Sequence, residues 1–233
     1  MISSNTSFVN NTGSLFLFNS NITMGDTKFF NNFSPQQTPN VTYPEGGAIT
    51  AFQSYIIVFS KECFLIHNHA ENGGAIFAIE SKLFIYGDLT LTANMATVSG
   101  GGVYLHQSEL NCKGYSKMEL LDNKGAFAGG GLYATSSDLK IDFGIDGSIH
   151  YNNYTGSSIH FTRNSARMGG GIYLEAGSKI YVLKLSYDAN LQDSFHSLLF
   201  NENSADLGGA VYVADETTSA TCDSPSYLSL IHI

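Results

Sequence analysis

A pair of glycines followed two residues on by an aliphatic residue recurs along the chain, and in five of the six copies an asparagine stands five or six residues before the pair. A spacing of this kind dictates a repeated architecture. The first glycines stand at 46, 73, 100, 129, 169 and 208, at intervals of 27, 27, 29, 40 and 39 residues. A second signature places Phe or Leu three residues before an Asn: Phe8/Asn11, Phe29/Asn32, Leu65/Asn68, Leu91/Asn94, Leu120/Asn123, Phe161/Asn164 and Phe200/Asn203. Behind the glycines, Ile49, Ile76, Val103, Leu132, Ile172 and Val211 form one apolar column, and Ala51, Ala78, Leu105, Ala134, Leu174 and Val213 another two residues on. The residue between them is Thr50, Phe77, Tyr104, Tyr133, Tyr173 and Tyr212. This period-two alternation predicts a strand with aliphatics on one face and aromatics on the other. Its constant phase predicts copies stacked in register.

One repeat fits one coil of a solenoid. Residues 73–99 divide into strands over 75–78, 82–86 and 89–94, with turns at Glu80-Ser81, at Gly87-Asp88 and around the Gly-Gly corner. Three short strands in such a length predict a right-handed parallel β-helix of about seven rungs, each about 4.8 Å from the next. It spans residues 1–227, with insertions near 33–45, 144–157 and 184–195. The glycines would allow a tight corner. The recurrent Asn would tolerate a left-handed conformation, and its amide could bond to that of the next coil, making a structural ladder of Asn68, Asn94, Asn123, Asn164 and Asn203. Where a copy reads Gly-Gly-Gly instead of Gly-Gly-Ala, position and phase are unchanged, and the change is read as drift.

Composition narrows the function classes. The chain is 43% hydrophobic, 13% charged and carries a formal charge of −9, with 11 Lys and Arg spread along it. That balance excludes a nucleic-acid partner and an electrostatic membrane-surface role, and no apolar run is long enough to span a bilayer. Met1-Ile-Ser-Ser-Asn-Thr-Ser7 lacks the basic start and apolar core of a secretory signal. The last six residues, 228–233, match one reading frame of a common transposase-based sequencing adapter, so the reading frame is expected to be truncated there. Cys63, Cys112 and Cys222 are too few and too widely spaced for a disulfide framework or a zinc site, and are read as buried thiols. N-glycosylation sequons at Asn5, Asn10, Asn21, Asn32, Asn40 and Asn153 point to an extracellular setting.

The paired motifs resemble the GGA[I/V/L] and FxxN repeats of the polymorphic outer membrane proteins of chlamydiae. Gly73–Ile76 and Gly208–Val211 match the first motif, and Phe8–Asn11, Phe161–Asn164 and Phe200–Asn203 the second. The resemblance implies a secreted or surface-exposed β-helical passenger, adhesive and carried outward by a C-terminal barrel. Its partner would be a host or neighbouring cell surface, met through a glycan or a protein. Motifs of this kind specify fold better than function.

Catalytic chemistry is sparse. A carbohydrate-active β-helix, the rival reading, needs clustered carboxylates or calcium-binding Asp with a basic residue nearby. There is no Asp-Asp pair and no Trp, and the two arginines, Arg163 and Arg167, fall in a corner of the repeat. Asp138, Asp142 and Asp146 recur every four residues but read as a solvated edge, and His67 and His69 as turn histidines. No metal, cofactor or catalytic residue is expected. The candidate for binding is the outward column Phe77, Tyr104, Tyr133, Tyr173 and Tyr212, expected to be an exposed aromatic ladder that either contacts a ligand or stabilises adjacent rungs. A purely structural stalk is the remaining alternative.

Overall fold

The Gly-Gly-aliphatic copies become short strands that pair in register, coil upon coil. The computed structural model describes residues 6–34, 46–60, 62–114, 116–142, 157–182 and 197–222, and every regular element among them is a β-strand. Three parallel sheets of seven strands and one of three run along the molecule. Sheet 1 holds the segments after the glycines, among them Ile76–Ile79, Val103–His106, Leu132–Thr135 and Ile172–Glu175. Sheet 2 includes Lys82–Ile85, Glu109–Lys113, Asp138–Asp142 and Lys179–Val182. Sheet 3 includes Thr27–Phe30, Cys63–Ile66, Asp88–Thr92, Lys117–Leu121 and Ser158–Thr162. Ile76 pairs with Val103, Val103 with Leu132 and Leu132 with Ile172, all fully buried, so the aliphatic column lies inside as one continuous core. The fold is a parallel β-helix.

The coil differs from the three-strand expectation at the Gly-Gly corner. His69–Asn72, Met95–Ser99 and Lys124–Gly125 form a short fourth sheet there, because the segment after each Asn also finds its counterpart one coil away. The insertion at 35–45 lies outside the described residues, as does the tail. So do most of the other two insertions: the chain leaves sheet 2 at Asp142 and at Val182 and rejoins sheet 3 at Ser158 and at Ser197, on consecutive coils.

A ladder of buried amides fixes the register, and it is longer than expected: Asn11 and Asn32 belong to it as well. Asn123 shows its chemistry. The Oδ1 of Asn123 accepts from the backbone N–H (3.0 Å) and the Nδ2 (2.9 Å) of Asn94. Its own Nδ2 donates to the Leu91 carbonyl (2.9 Å) and to Asn164 Oδ1 (3.0 Å). All four hydrogen-bonding positions of a fully buried amide are thereby used. The Asn itself is not the left-handed residue. Positive φ falls one position earlier, at Asn10, Asn31, His67, Ala93, Asp122, Arg163 and Glu202, because the ladder Asn must keep its backbone N–H aimed at the next coil.

A second ladder runs along the corner between sheets 1 and 2. The N–H of Ser54 donates to Ser81 Oγ, Ser81 to Ser108 Oγ and Ser108 to Ser137 Oγ, each at 3.0 Å. Ser20 begins this series and Ser178 extends it. Again the residue before the ladder member has positive φ, as at Gln53, Glu80, Gln107 and Ser136.

The glycines have separate duties. The first glycine of the runs at 73, 100, 129, 169 and 208 has a φ of about +60° to +70°. The second leaves room for the next coil: a Cβ on Gly130 would sit 2.4 Å from the Gly170 carbonyl oxygen. The third corrects the reading of drift at two positions. A Cβ on Gly131 would lie 2.7 Å from Phe161 Cδ1, and one on Gly171 2.8 Å from Phe200 Cδ1. Ala occupies this place as Ala48 and Ala75, in coils where the column residue that follows is Leu65 or Leu91; Gly102, facing Leu120, departs from the pattern.

Two outcomes test this account. Asn123→Ala strips the acceptor from two buried donors and should lower the unfolding free energy by about 3 kcal/mol or more in urea titration. Gly131→Ala should cost about 1–3 kcal/mol, and adding Phe161→Leu should recover part of that loss rather than deepen it.

Candidate functional site

With a closed core, function must sit on the outward columns. The expected aromatic column is a stack: ring centroids lie 4.9 Å apart for Phe77–Tyr104, 4.8 Å for Tyr104–Tyr133, 5.2 Å for Tyr133–Tyr173 and 5.3 Å for Tyr173–Tyr212. The planes are tilted by no more than 15°. It is not an exposed ladder. Phe77 is 1% and Tyr173 6% accessible, and Tyr104, Tyr133 and Tyr212 are half-buried. Each inner ring covers the faces of its neighbours, and the corner glycines bring backbone against the base of the rings: a Cβ on Gly100 would be 3.0 Å from Tyr104 Cβ. What remains outward is ring edge and hydroxyl.

Two of those hydroxyls converge on one carboxylate. Tyr133 donates to Glu175 Oε1, and Tyr173 to Glu175 Oε2 at 3.1 Å. Burial, then the Glu175 charge, pushes the Tyr173 hydroxyl up to about 12; Tyr104 and Tyr133 are raised for the same two reasons, and Tyr133 further by its hydrogen bond. These phenols stay neutral at physiological pH.

The other sequence candidates are dispersed. Asn32 is only 2% accessible, and its Nδ2, the atom a glycan would occupy, donates to Asn68 Oδ1 (2.9 Å) and to the Phe8 carbonyl (3.1 Å). The amide ladder removes it as an attachment site. Asn10 and Asn21 are exposed, whereas Asn5, Asn40 and Asn153 lie outside the described residues. Arg163 makes a two-pronged ion pair with Asp122 at 2.8 Å. His67 meets the Phe30 ring edge-on and His69 stacks on Phe33. Asp138 lies 3.5 Å from Lys140, while the Asp142 side chain and Asp146 are outside the described residues. No group of three or more metal-ligating side chains occurs among the described residues, nor any helix able to cross a membrane. Cys63 and Cys112 are buried free thiols, each pushed up to about 12 mainly by burial.

One arrangement was not legible in the chain. On the outward face of sheet 2, Lys82, Glu109, Asp138 and Lys179 are register partners, as are Phe84, Asn111, Lys140 and Tyr181. Lys140 Nζ reaches Glu109 at 3.2 Å, and Lys82 Nζ reaches it at 3.9 Å. Burial resists ionisation of Glu109, but hydrogen bonds from Lys140 and Asn111 and the lysine charges outweigh it, and its pKa is lowered. The basic residues look scattered in the sequence because coil lengths vary; strand register alone aligns them.

Residues 197–214, which contain Phe200, Asn203 and the Gly208–Val211 strand entrance, match the family model of the Chlamydia polymorphic membrane protein repeat. No curated protein and no solved structure matches the chain. One segment of the chain is thus similar to that repeat, and the coil that contains it has the motif geometry of the coils before it.

Two half-buried histidines, His69 and His160, lead to an expected pH dependence of stability. Burial lowers the pKa of His69, and burial with the nearby Lys117 lowers that of His160. A base whose folded pKa is depressed contributes stability that is complete above its unfolded value of about 6.5 and is lost as pH falls through the folded value. The melting temperature should therefore fall between about pH 6.5 and 5, and less so in the His69→Phe, His160→Gln double variant. Equal slopes for the two proteins would refute the assignment.

Proposed function

We propose that this chain is a non-enzymatic recognition rod at the surface of a bacterium with an outer membrane. It works as an adhesin towards a host or neighbouring cell, through a glycan or a protein. The observation that carries this reading is the repeat match at 197–214 within a coil of the same plan as the others. A solenoid whose ladders satisfy their own buried groups leaves its outward columns free to vary, which suits display.

The chemistry of the best-placed carboxylates supports a non-catalytic role. Glu109 and Asp138 sit on adjacent coils, the kind of pair a glycosidase employs, but Lys140 lies 3.2 Å from one and 3.5 Å from the other. A general acid needs a raised pKa, and Glu109 has the opposite shift. The tyrosine stack serves the rod chiefly by joining rungs, since covered ring faces offer no platform to a sugar. Asn10 and Asn21 are the exposed sequons at which a glycan could be carried.

Labelled chain should bind cultured epithelial cells saturably and be displaced by excess unlabelled chain, while leaving polygalacturonate chain length unchanged. Absence of saturable binding, or release of reducing ends from the polymer, would overturn the reading.

A further inference from the structure

The chain has a formal charge of −9, yet four of the nine lysines and arginines among the described residues stand on one face. Lys82, Lys113, Lys140 and Lys179 project from sheet 2 on four consecutive coils. Facing them are the carboxylates Glu109 and Asp138, with Asp142 at the register position beside Lys113. Four lysines against three carboxylates leave this flank with a surplus of one positive charge on a protein whose formal charge is −9.

Asn111 marks the middle of the face. It lies between Phe84 on one coil and Lys140 on the next, and is 4% accessible. Its Nδ2 donates to Glu109 Oε1 at 3.2 Å, while its Oδ1 is buried without a hydrogen-bond partner. A buried acceptor left unmet costs about 1–3 kcal/mol, so the position is poised to receive a donor. A ring borders it on one side and a second ring lies beyond Lys140 on the other: Lys113 Nζ is 5.4 Å from the Phe84 ring and Lys140 Nζ 5.8 Å from the Tyr181 ring. These long side chains cover apolar surface and can swing to an anion, uncovering ring and amide together.

We propose that this face binds a linear anionic polysaccharide laid along the rod axis from the Lys82 coil to the Lys179 coil. The inference rests on the recognition reading above and gives it a ligand class and a site. A uronate or sulfated chain supplies each kind of group that the face lacks. Its anions meet the lysines, its hydroxyls donate to Asn111 Oδ1, and its C–H faces lie on Phe84 and Tyr181. Basic groups recur at the strand spacing of about 4.8 Å per coil or small multiples of it, a repeat comparable to that of sugars in an extended chain. A duplex nucleic acid would bring charge but few hydroxyl donors for the buried acceptor.

The test is titration of the purified chain with polygalacturonate, heparin, neutral dextran, a DNA duplex and phosphatidylserine vesicles. Binding to polygalacturonate identifies carboxylates as sufficient; binding to heparin alone assigns the site to sulfated chains. In either case dextran should be inert and added salt should weaken binding. The Lys82→Gln, Lys140→Gln variant should weaken affinity about tenfold, and Lys117→Gln, Lys124→Gln, whose targets lie on other faces, should change it less than about twofold. Asn111→Ala should reduce affinity without lowering the melting temperature. Equal effects of the two lysine pairs would overturn the proposal, as would DNA or vesicles binding as tightly as the polysaccharides. If neither acidic polymer binds while cell binding persists, this site falls and the recognition rod stands; loss of both removes both.

Discussion

The structure depends on one requirement: a buried amide can be satisfied only by its counterpart on the next coil. Asn68, Asn94, Asn123 and Asn164 each spend the whole hydrogen-bonding capacity of the side chain on neighbouring coils. An unmet buried amide is costly, so a coil displaced by one residue would lose its ladder bonds and also turn its aliphatic column towards solvent. The same bonds offset the strain of the corners. Thirteen non-glycine residues among the described ones hold positive φ, a conformation that costs L-residues about 1–2 kcal/mol each. Each such residue immediately precedes a ladder Asn, a ladder Ser or, at Ala176, the Gly-Ser that continues the serine series. The turn and the ladder are one device.

The sequence revealed the columns because hydrophobic phase survives changes in coil length. Ile76, Val103, Leu132 and Ile172 can be aligned by eye, and the structure stacks them as aligned. The asparagine ladder was legible for the same reason, although Asn11 and Asn32 were legible as motif members rather than ladder members. The serine ladder went unread even though Ser54, Ser81, Ser108 and Ser137 each follow the aliphatic column by five residues. Serine is common in this chain, and a hydroxyl at a turn needs no ladder to explain it. The left-handed residue was assigned one position too late because Asn is the usual occupant of that conformation. Here residues as unlike as Ala93, Arg163 and Glu202 adopt it, since stacking outweighs local preference.

The surface was harder to read than the core, for a physical reason. Alternation states which way a side chain points but not what covers it. Tyr133 and Tyr173 point outward as expected, yet neighbouring rings and the glycine corner enclose them. Asn32 satisfies the sequon rule while its amide is committed inside the ladder. Both outcomes depend on contacts between residues more than 20 positions apart, beside the local glycine corner, and no local motif encodes those contacts.

Charge follows the same logic in reverse. Stacked coils set equivalent side chains a strand spacing apart, so a column of identical charges would repel itself. The outward column of sheet 2 avoids this by placing Lys82 before Glu109 and Lys179 after Asp138, with Lys140 between the two carboxylates in the adjacent column. That arrangement allows lysines to gather on one flank without large self-repulsion, because Lys82 and Lys140 each reach a carboxylate on their own or an adjacent coil. It also leaves Glu109 and Asp138 occupied by lysines, with the pKa of Glu109 lowered by them. A flank built this way presents cations at the rung repeat of the stacked backbone, and that regular spacing matters more here than the number of charges. An extended polymer that matches the repeat gains successive contacts without ordering the protein, whereas a ligand of any other spacing meets lysines that prefer their own carboxylates.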